Sequence, residues 1–183
     1  MATVHELLTA EEYFRLPEDG SSTELVRGVV IPMPPTGLRH GYVCSRSGHL
    51  LQCHLDEHDI GRVFSNDAGV VTERDPDTVR GGDVLFYSYE RLPKEQLPTE
   101  YADIAPDVVF EVLSPSDRWT VVLAKILEYL NAGVKAVCVL DPASETAHLY
   151  YPDRSGIVLS GEDELTLPEP LDGFRSLVRR FFE

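Results

Sequence analysis

Hydrophobic residues along this chain fall into two rhythms. Short apolar runs rich in β-branched and aromatic residues read as strands buried on both faces. Longer stretches with apolar residues three and four apart read as helices. The clearest unit spans Asp107 to Asp141, DVVFEVLSPSDRWTVVLAKILEYLNAGVKAVCVLD. Val108 to Leu113 predicts a buried strand, broken only by Glu111 in its middle. Ser114-Pro115-Ser116 ends it, and Ser116 or Asp117 is placed to cap a helix running to about Asn131. Trp119, Val122, Leu123, Ile126, Leu127, Tyr129 and Leu130 share one apolar arc, with Lys125 at its border between Val121 and Tyr129. Gly133 sits where a left-handed cap belongs, and Lys135 to Leu140 predicts a second buried strand. A strand–helix–strand unit of this length implies a parallel pair joined by a right-handed crossover.

The rest of the chain builds around that unit. Thr9 and Glu12 form a capping-box pattern, which predicts a short helix over 9–16 and then a loop from Pro17 to Ser22. Glu24 to Met33 predicts a hairpin turning at Arg27-Gly28, and Pro34 to Gly37 a loop. A helix follows from about Leu38 to Glu57, with Val43, Leu50, Leu51 and Leu55 inward. Arg62–Ser65 and Ala68–Thr72 predict two strands, and Asp75-Pro76-Asp77 a turn. Val79 to Tyr87 predicts a strand interrupted at Gly81-Gly82, just before Asp83. Leu92 to Ala105, with Pro93 and Pro98, should be irregular and exposed. Thr146–Tyr151 and Ile157–Leu159 predict an antiparallel meander after the central unit. Leu165–Leu167 and Phe174–Val178 are weaker strand candidates, and Arg179–Glu183 a helical one. No repeat, low-complexity tract or long linker divides the 183 residues, so residues 1–183 are expected to form a single domain.

Composition narrows the class. Hydrophobic residues make up 43% and charged residues 26%, as in ordinary globular proteins. No apolar run is long enough to span a membrane, and the acidic, amphipathic N-terminus has no signal-peptide core. Three scattered cysteines, Cys44, Cys53 and Cys138, suit reduced thiols in a cytoplasm. The net charge of −15 argues against a basic groove for tight, non-specific nucleic-acid binding. A nuclease remains open, because a metal site needs acids and a basic strip can be local.

Glu111 and Lys125 are the first candidates for chemistry. A buried charge is expensive unless it is paired or holds a metal. Two readings follow: a structural Glu111–Lys125 ion pair, or a metal ligand beside a cationic side chain. A hydrolytic ion such as Mg²⁺ needs several oxygen ligands at ~2.1 Å. Asp107 lies on the same strand face but ~13 Å away, so it reads as a strand-end acid facing solvent. Asp83 opens the apolar strand DVLFY after a glycine pair that permits close backbone approach, and converges with Glu111 if the strands are neighbours. The alternative is a turn aspartate. His40, Cys44, His49, Cys53, His54 and His58 crowd one segment, yet a straight helix offers at most a pair at i, i+4. A four-ligand structural zinc site there is not expected.

Several stretches resemble a known family. ELVRGVVIPMPP followed by RHG, then GGDVLF, then APDVVFEVLSPSDR with a helical lysine, EYLNAGV and VLD resemble the Uma-type family, a restriction-endonuclease-like branch of the PD-(D/E)XK nuclease superfamily. The resemblance covers nearly the whole chain. It implies a restriction-endonuclease-like α/β fold: a central mixed β-sheet flanked by helices, with a C-terminal antiparallel meander. It implies a divalent-metal-dependent endonuclease that hydrolyses DNA phosphodiester bonds with Mg²⁺ or Mn²⁺, acting as a homodimer. Asp83 and Glu111 would be metal ligands, helped by the backbone carbonyl of Val112. Lys125, moved from the strand to the following helix, would orient the attacking water or stabilise phosphate charge. Glu24 would extend the site, unless it is a surface strand-start acid. His40 would contact phosphate or act as a base, unless it caps its helix. Ser114 reads as a phosphate contact or a plain turn serine. Two positions depart from the family pattern: Gly82 replaces a proline, and Val121 replaces an acid four residues before the lysine.

Two alternatives stay open beside this reading. One is a non-catalytic nucleic-acid or protein interaction module on the same fold, favoured by the charge of −15 and by Val121. The other is a metal-dependent phosphoesterase acting on RNA or small substrates. The expected geometry is specific: Asp83 and Glu111 close enough to share an ion, with the Lys125 ammonium facing them. For assembly, the Leu92–Ala105 segment or the C-terminal Phe181-Phe182 pair is expected to supply the dimer contact.

Overall fold

The computed structural model describes residues 7–17 and 20–183. The first six residues, where the N-terminal targeting expectation falls, and Glu18 and Asp19 in the first loop lie outside the described residues. In chain order the elements are α1 Ala10–Phe14, β1 Thr23–Val26, β2 Val29–Pro32, α2 Leu38–Glu57, β3 Gly61–Glu73, β4 Thr78–Ser88, β5 Val108–Val112, α3 Trp119–Asn131, β6 Ala136–Asp141, β7 Thr146–Tyr150, β8 Ile157–Ser160, β9 Glu164–Thr166 and β10 Arg175–Leu177, with a closing 3₁₀ turn at Val178–Phe181.

Eight strands form one mixed sheet in the order β2-β1-β4-β5-β6-β7-β8, with β3 paired to β4 off that path. β5 and β6 run parallel across the α3 crossover, and the other pairings are antiparallel. This is the expected mixed sheet with its meander, β6-β7-β8, and β9 and β10 add a separate two-stranded ribbon. Because side chains alternate along strands, the sheet buries two faces. Val84, Phe86, Phe110 and Leu140 pack against Val43, Leu51 and Leu55 of α2 and against the C-terminal Phe181. Leu85, Val109, Val137 and Val139 pack against Ile126 and Tyr129 of α3. No helix among the described residues is long and apolar enough to cross a membrane.

Local chemistry explains the element ends. The Thr9–Glu12 capping box is formed, with the Thr9 hydroxyl accepting from the Glu12 N–H and the Glu12 carboxylate accepting from the Thr9 N–H. Gly133 adopts φ +98° beyond α3, and the bonds Val134 N–H to Tyr129 O and Gly133 N–H to Leu130 O complete a Schellman motif. The Arg27-Gly28 hairpin turn has φ of +50° and +78°, as the primed two-residue turn requires.

Several expectations are corrected. α3 starts after Arg118 without a side-chain cap, because Asp117 instead accepts the Ser114 N–H at 2.7 Å and closes the turn. The apolar arc of α3 is only partly covered: Ile126 and Tyr129 are buried, while Trp119, Leu123 and Leu127 are exposed. Periodicity sets the angle of an arc, but not how much of it meets the sheet. The two strands expected over 62–72 are one strand, β3, kinked where Asn66 and Asp67 take positive φ and the register shifts. β4 runs unbroken through Gly81 and Gly82, which stay paired with Gly69 and Ala68. Asp107 is fully buried rather than solvent-facing, held by Lys135 at 2.8 Å, Arg91 at 3.2 Å and the Ser88 N–H. Phe181 and Phe182 are buried, and Phe181 stacks on Phe110, so they are core and cannot be a dimer contact.

Candidate functional site

The site forms where β4 and β5 part. Their pairing ends at Val84 and Phe110, so Asp83 and Glu111 are the first residues beyond the last paired positions of the two strands. There the Asp83 carboxylate takes the place of backbone pairing, its Oδ2 accepting the Val112 N–H at 2.7 Å. Oδ1 of the same carboxylate lies 3.4 Å from His40 Nε2 on α2. Glu111 turns to the α3 side of the sheet. There Lys125 Nζ donates to its Oε2 at 2.9 Å, and the Tyr129 hydroxyl to its Oε1 at 2.8 Å.

Lys125 has two further acceptors, Gly81 O at 2.9 Å and Glu24 Oε1 at 3.1 Å. Glu24 is buried in β1, not a surface acid, and also takes the Gly81 N–H and the Arg80 guanidinium. Arg80 in turn holds Glu128 of α3 through two bonds of 2.5 and 2.7 Å. A side chain at 81 would be crowded, since a Cβ would stand 3.1 Å from the Asp67 Cβ and 3.3 Å from its backbone oxygen.

Five carboxylates thus meet two permanent cations, Arg80 and Lys125. The electrostatic consequences follow. Burial pushes Glu111 up to about 7, with the Asp83 charge adding to it and Lys125 opposing. Burial alone would lower Lys125, but Glu111 and Glu24 outweigh it and hold the ammonium charged. Glu24 moves the other way: burial is overcome by Lys125 and Arg80, and its pKa falls. His40 is raised, because Asp83 and the further charges of Asp67 and Glu111 outweigh burial.

On the α2 side a cleft of about 540 Å³ opens onto Asp83, lined also by His40, Cys44, Asp67 and His49. His40 is buried and aimed at Asp83 rather than capping its helix. Cys44 Sγ lies 3.4 Å from His40 Nδ1. Burial and Asp83 raise the thiol well above its ordinary range, which favours the protonated form while no cation is bound.

Glu24, Glu111 and Lys125 therefore sit in one bonded cluster, and Asp83 and His40 form the adjoining pair. Val112 contributes its N–H to Asp83. Ser114 is a turn residue bonded to Asp117. Val121 is exposed on α3, and the acids beside Lys125 are Glu111 and Glu24. Four participants escape the sequence reading. Asp67 comes in on the β3 bulge, which reads as a turn between strands. Tyr129 counts as apolar in any periodicity, although its spacing four residues from Lys125 puts it on the same face. Arg80 and Glu128 pair across 48 residues.

Comparison with known proteins follows the same lines. The family model described as "Uma2: Putative restriction endonuclease" matches residues 10–179. A solved structure described as "a putative nuclease belonging to DUF820 from Anabaena variabilis ATCC 29413" matches with a TM-score of 0.83 at 22% sequence identity, over 96% of this chain and 97% of that one. At that identity the likeness establishes a nuclease-like fold. No curated protein matches.

Proposed function

The chain belongs to the Uma2 family, and from that premise we propose that it is a divalent-metal-dependent endonuclease hydrolysing DNA phosphodiester bonds. The observation that carries the reading is the Lys125 ammonium bonded to Glu111, which stands just past the end of the β4–β5 pairing, as Asp83 does on β4. The donor set suits a hard cation, since carboxylate oxygens are what Mg²⁺ or Mn²⁺ takes. Burial, with the Asp83 charge adding to it, raises Glu111 to about 7, and a bound cation would offset both. Asp83 and Glu111 would hold it, with the Val112 carbonyl as a further oxygen and Glu24 behind. When bound, such an ion polarises the phosphoryl oxygen and lowers the pKa of the attacking water. Lys125 orients that water and offsets charge growing on the phosphate. Tyr129 and Glu24 fix the Glu111 and Lys125 side chains. His40, whose raised pKa favours the cation, serves as a phosphate contact more readily than as a base.

A duplex cut on both strands needs two such centres, which makes a homodimer part of the reading. With the C-terminal phenylalanines buried, the irregular 92–105 segment, where Leu97 is exposed, stays as the expected contact. Three free thiols fit a reducing cytoplasm. The net charge of −15 favours a second reading, a non-catalytic interaction module on the same fold.

Plasmid nicking by the full chain in Mg²⁺ or Mn²⁺ tests the proposal, with an oligoribonucleotide and a small phosphodiester alongside. Conversion of supercoiled to relaxed DNA that disappears in Asp83→Asn and Lys125→Met is the expected result. Nicking that survives Asp83→Asn overturns the site. Ion binding without cleavage of any substrate points to the interaction module instead.

A further inference from the structure

We propose that His40, Cys44 and Asp83 form a binding site for a thiophilic divalent cation of the zinc class, distinct in ligand chemistry from the hard-oxygen centre with which it shares Asp83. One ligand atom from each residue lies within 4.8 Å of the other two. His40 and Cys44 are one helical turn apart on the same face of α2, and Asp83 arrives from β4. A helix alone supplies two ligands; β4, inside the sheet, supplies the third. Sulfur, imidazole nitrogen and carboxylate oxygen make a mixed set that suits zinc and not magnesium. Three protein ligands with an open fourth position are the pattern of zinc sites that keep a water or an exchangeable ligand. The cleft in front of the three residues provides that position and an entry path.

The imidazole now stands between its neighbours, Nδ1 toward Cys44 and Nε2 toward Asp83, each at 3.4 Å. Only one nitrogen ligates, so binding requires a ring rotation within the pocket. The sulfur ligates as thiolate: the metal–sulfur bond replaces the S–H bond and one proton leaves to solvent. No change of oxidation state is involved. Acids around the thiol disfavour a free thiolate but favour a dication, the same preference seen from two sides.

Occupation takes Asp83 from the hard-ion centre, so zinc should antagonise Mg²⁺-dependent cleavage. That consequence rests on the nuclease reading; the binding site does not. Cobalt titration of the reduced full chain, without nucleic acid and in a Cys53→Ser background, tests binding directly. The background matters because Cys53 contacts His49 on the exposed side of α2. The expected result is uptake of one cobalt with a thiolate-to-cobalt charge-transfer band and four-coordinate visible bands, displaced by zinc and not by magnesium. Asp83→Asn should keep the charge-transfer band with weakened affinity. Cys44→Ser should lose the band and bind zinc at least about a hundredfold more weakly, since even outer-shell changes cost roughly 10–100-fold. Absence of a charge-transfer band, or a band that survives Cys44→Ser, overturns the proposal. Should the spectrum appear while no nucleic acid is cut, this site stands and the nuclease reading falls.

Discussion

Lys125 sets the stability of the acidic centre, because it is the cation that touches both Glu111 and Glu24. Lys125→Met leaves those carboxylates and Asp83 without it. Unpairing a buried charge costs roughly 3–5 kcal/mol, so a loss near that size is expected in ion-free protein at pH 8. Glu111→Gln is milder, below about 2 kcal/mol by the same scale, because Glu24 and the Gly81 carbonyl still receive the ammonium. The pH dependence has a definite sign. Glu111 is raised from 4.5 to about 7, so its contribution favours folding below the unfolded value and fades as pH climbs through 7. His40, also raised, acts in the same direction. Glu24 is lowered, and its window lies below its ordinary range. The ion-free protein therefore melts higher at pH 6 than at pH 8, and the deficit of Lys125→Met shrinks at pH 6. Melting shifts induced by Mg²⁺ run the opposite way, larger at pH 8, since an ion competes with the proton on Glu111. Melts at both pH values, with and without Mg²⁺, check this; equal shifts would separate Glu111 from the ion. Glu111 and Lys125 were legible because charge inside an apolar pattern stands out. Glu24 and His40 became legible only through family resemblance, and the buried Asp107 misread because its partners, Arg91 and Lys135, lie elsewhere in the chain.

At the scale of elements, strands and helices were visible wherever burial imposes a period, and their joints were not. The extent of α2, the Arg27-Gly28 hairpin and the parallel β5–β6 pair follow from pattern, caps and crossover length. The β3 bulge did not, since Ser65-Asn66-Asp67 carries the residue types of a loop. That kink is what brings Asp67 over Gly81 and into the cleft. The C-terminal segment is the other case: a weak pattern of short pieces that is nevertheless core. Leu165, Leu171, Phe174 and Phe181 cover the α2 side of the sheet, with Phe181 stacked 6.0 Å from Phe110. Phe181→Ala should accordingly cost about 3–5 kcal/mol, the range for a buried aromatic truncated to a cavity. It should leave the oligomeric state of the folded fraction unchanged. Denaturant melts and sedimentation read the two effects separately. A loss of association without a loss of stability would return this segment to the surface.

On the scale of the molecule, fold and charge point in different directions. On the nuclease reading the substrate is a polyanion, yet 31 acids face 16 lysines and arginines. Affinity for duplex DNA normally comes from released counterions, with a salt slope of about −0.9 for each phosphate neutralised. Several of the described cations are already engaged. Lys125 and Arg80 are held by Glu24, Glu111 and Glu128, while Arg91 and Lys135 are held by Asp107. Arg39 and Arg46 on α2 are engaged with Glu145 and with the Arg180 carbonyl. On the nuclease reading, divalent ions would supply the attraction that lysines supply elsewhere. On the nuclease reading, binding of a labelled duplex in EDTA should be weak, with a slope corresponding to fewer than about four phosphates. Adding Ca²⁺, a hard cation that takes carboxylate oxygens, should tighten binding at least tenfold in wild type and much less in Asp83→Asn. Anisotropy titrations across a salt series measure both quantities. A slope of six or more in EDTA, untouched by Ca²⁺, would mean that a basic surface away from the acidic centre holds the nucleic acid, and would detach DNA binding from the Asp83–Glu111 site.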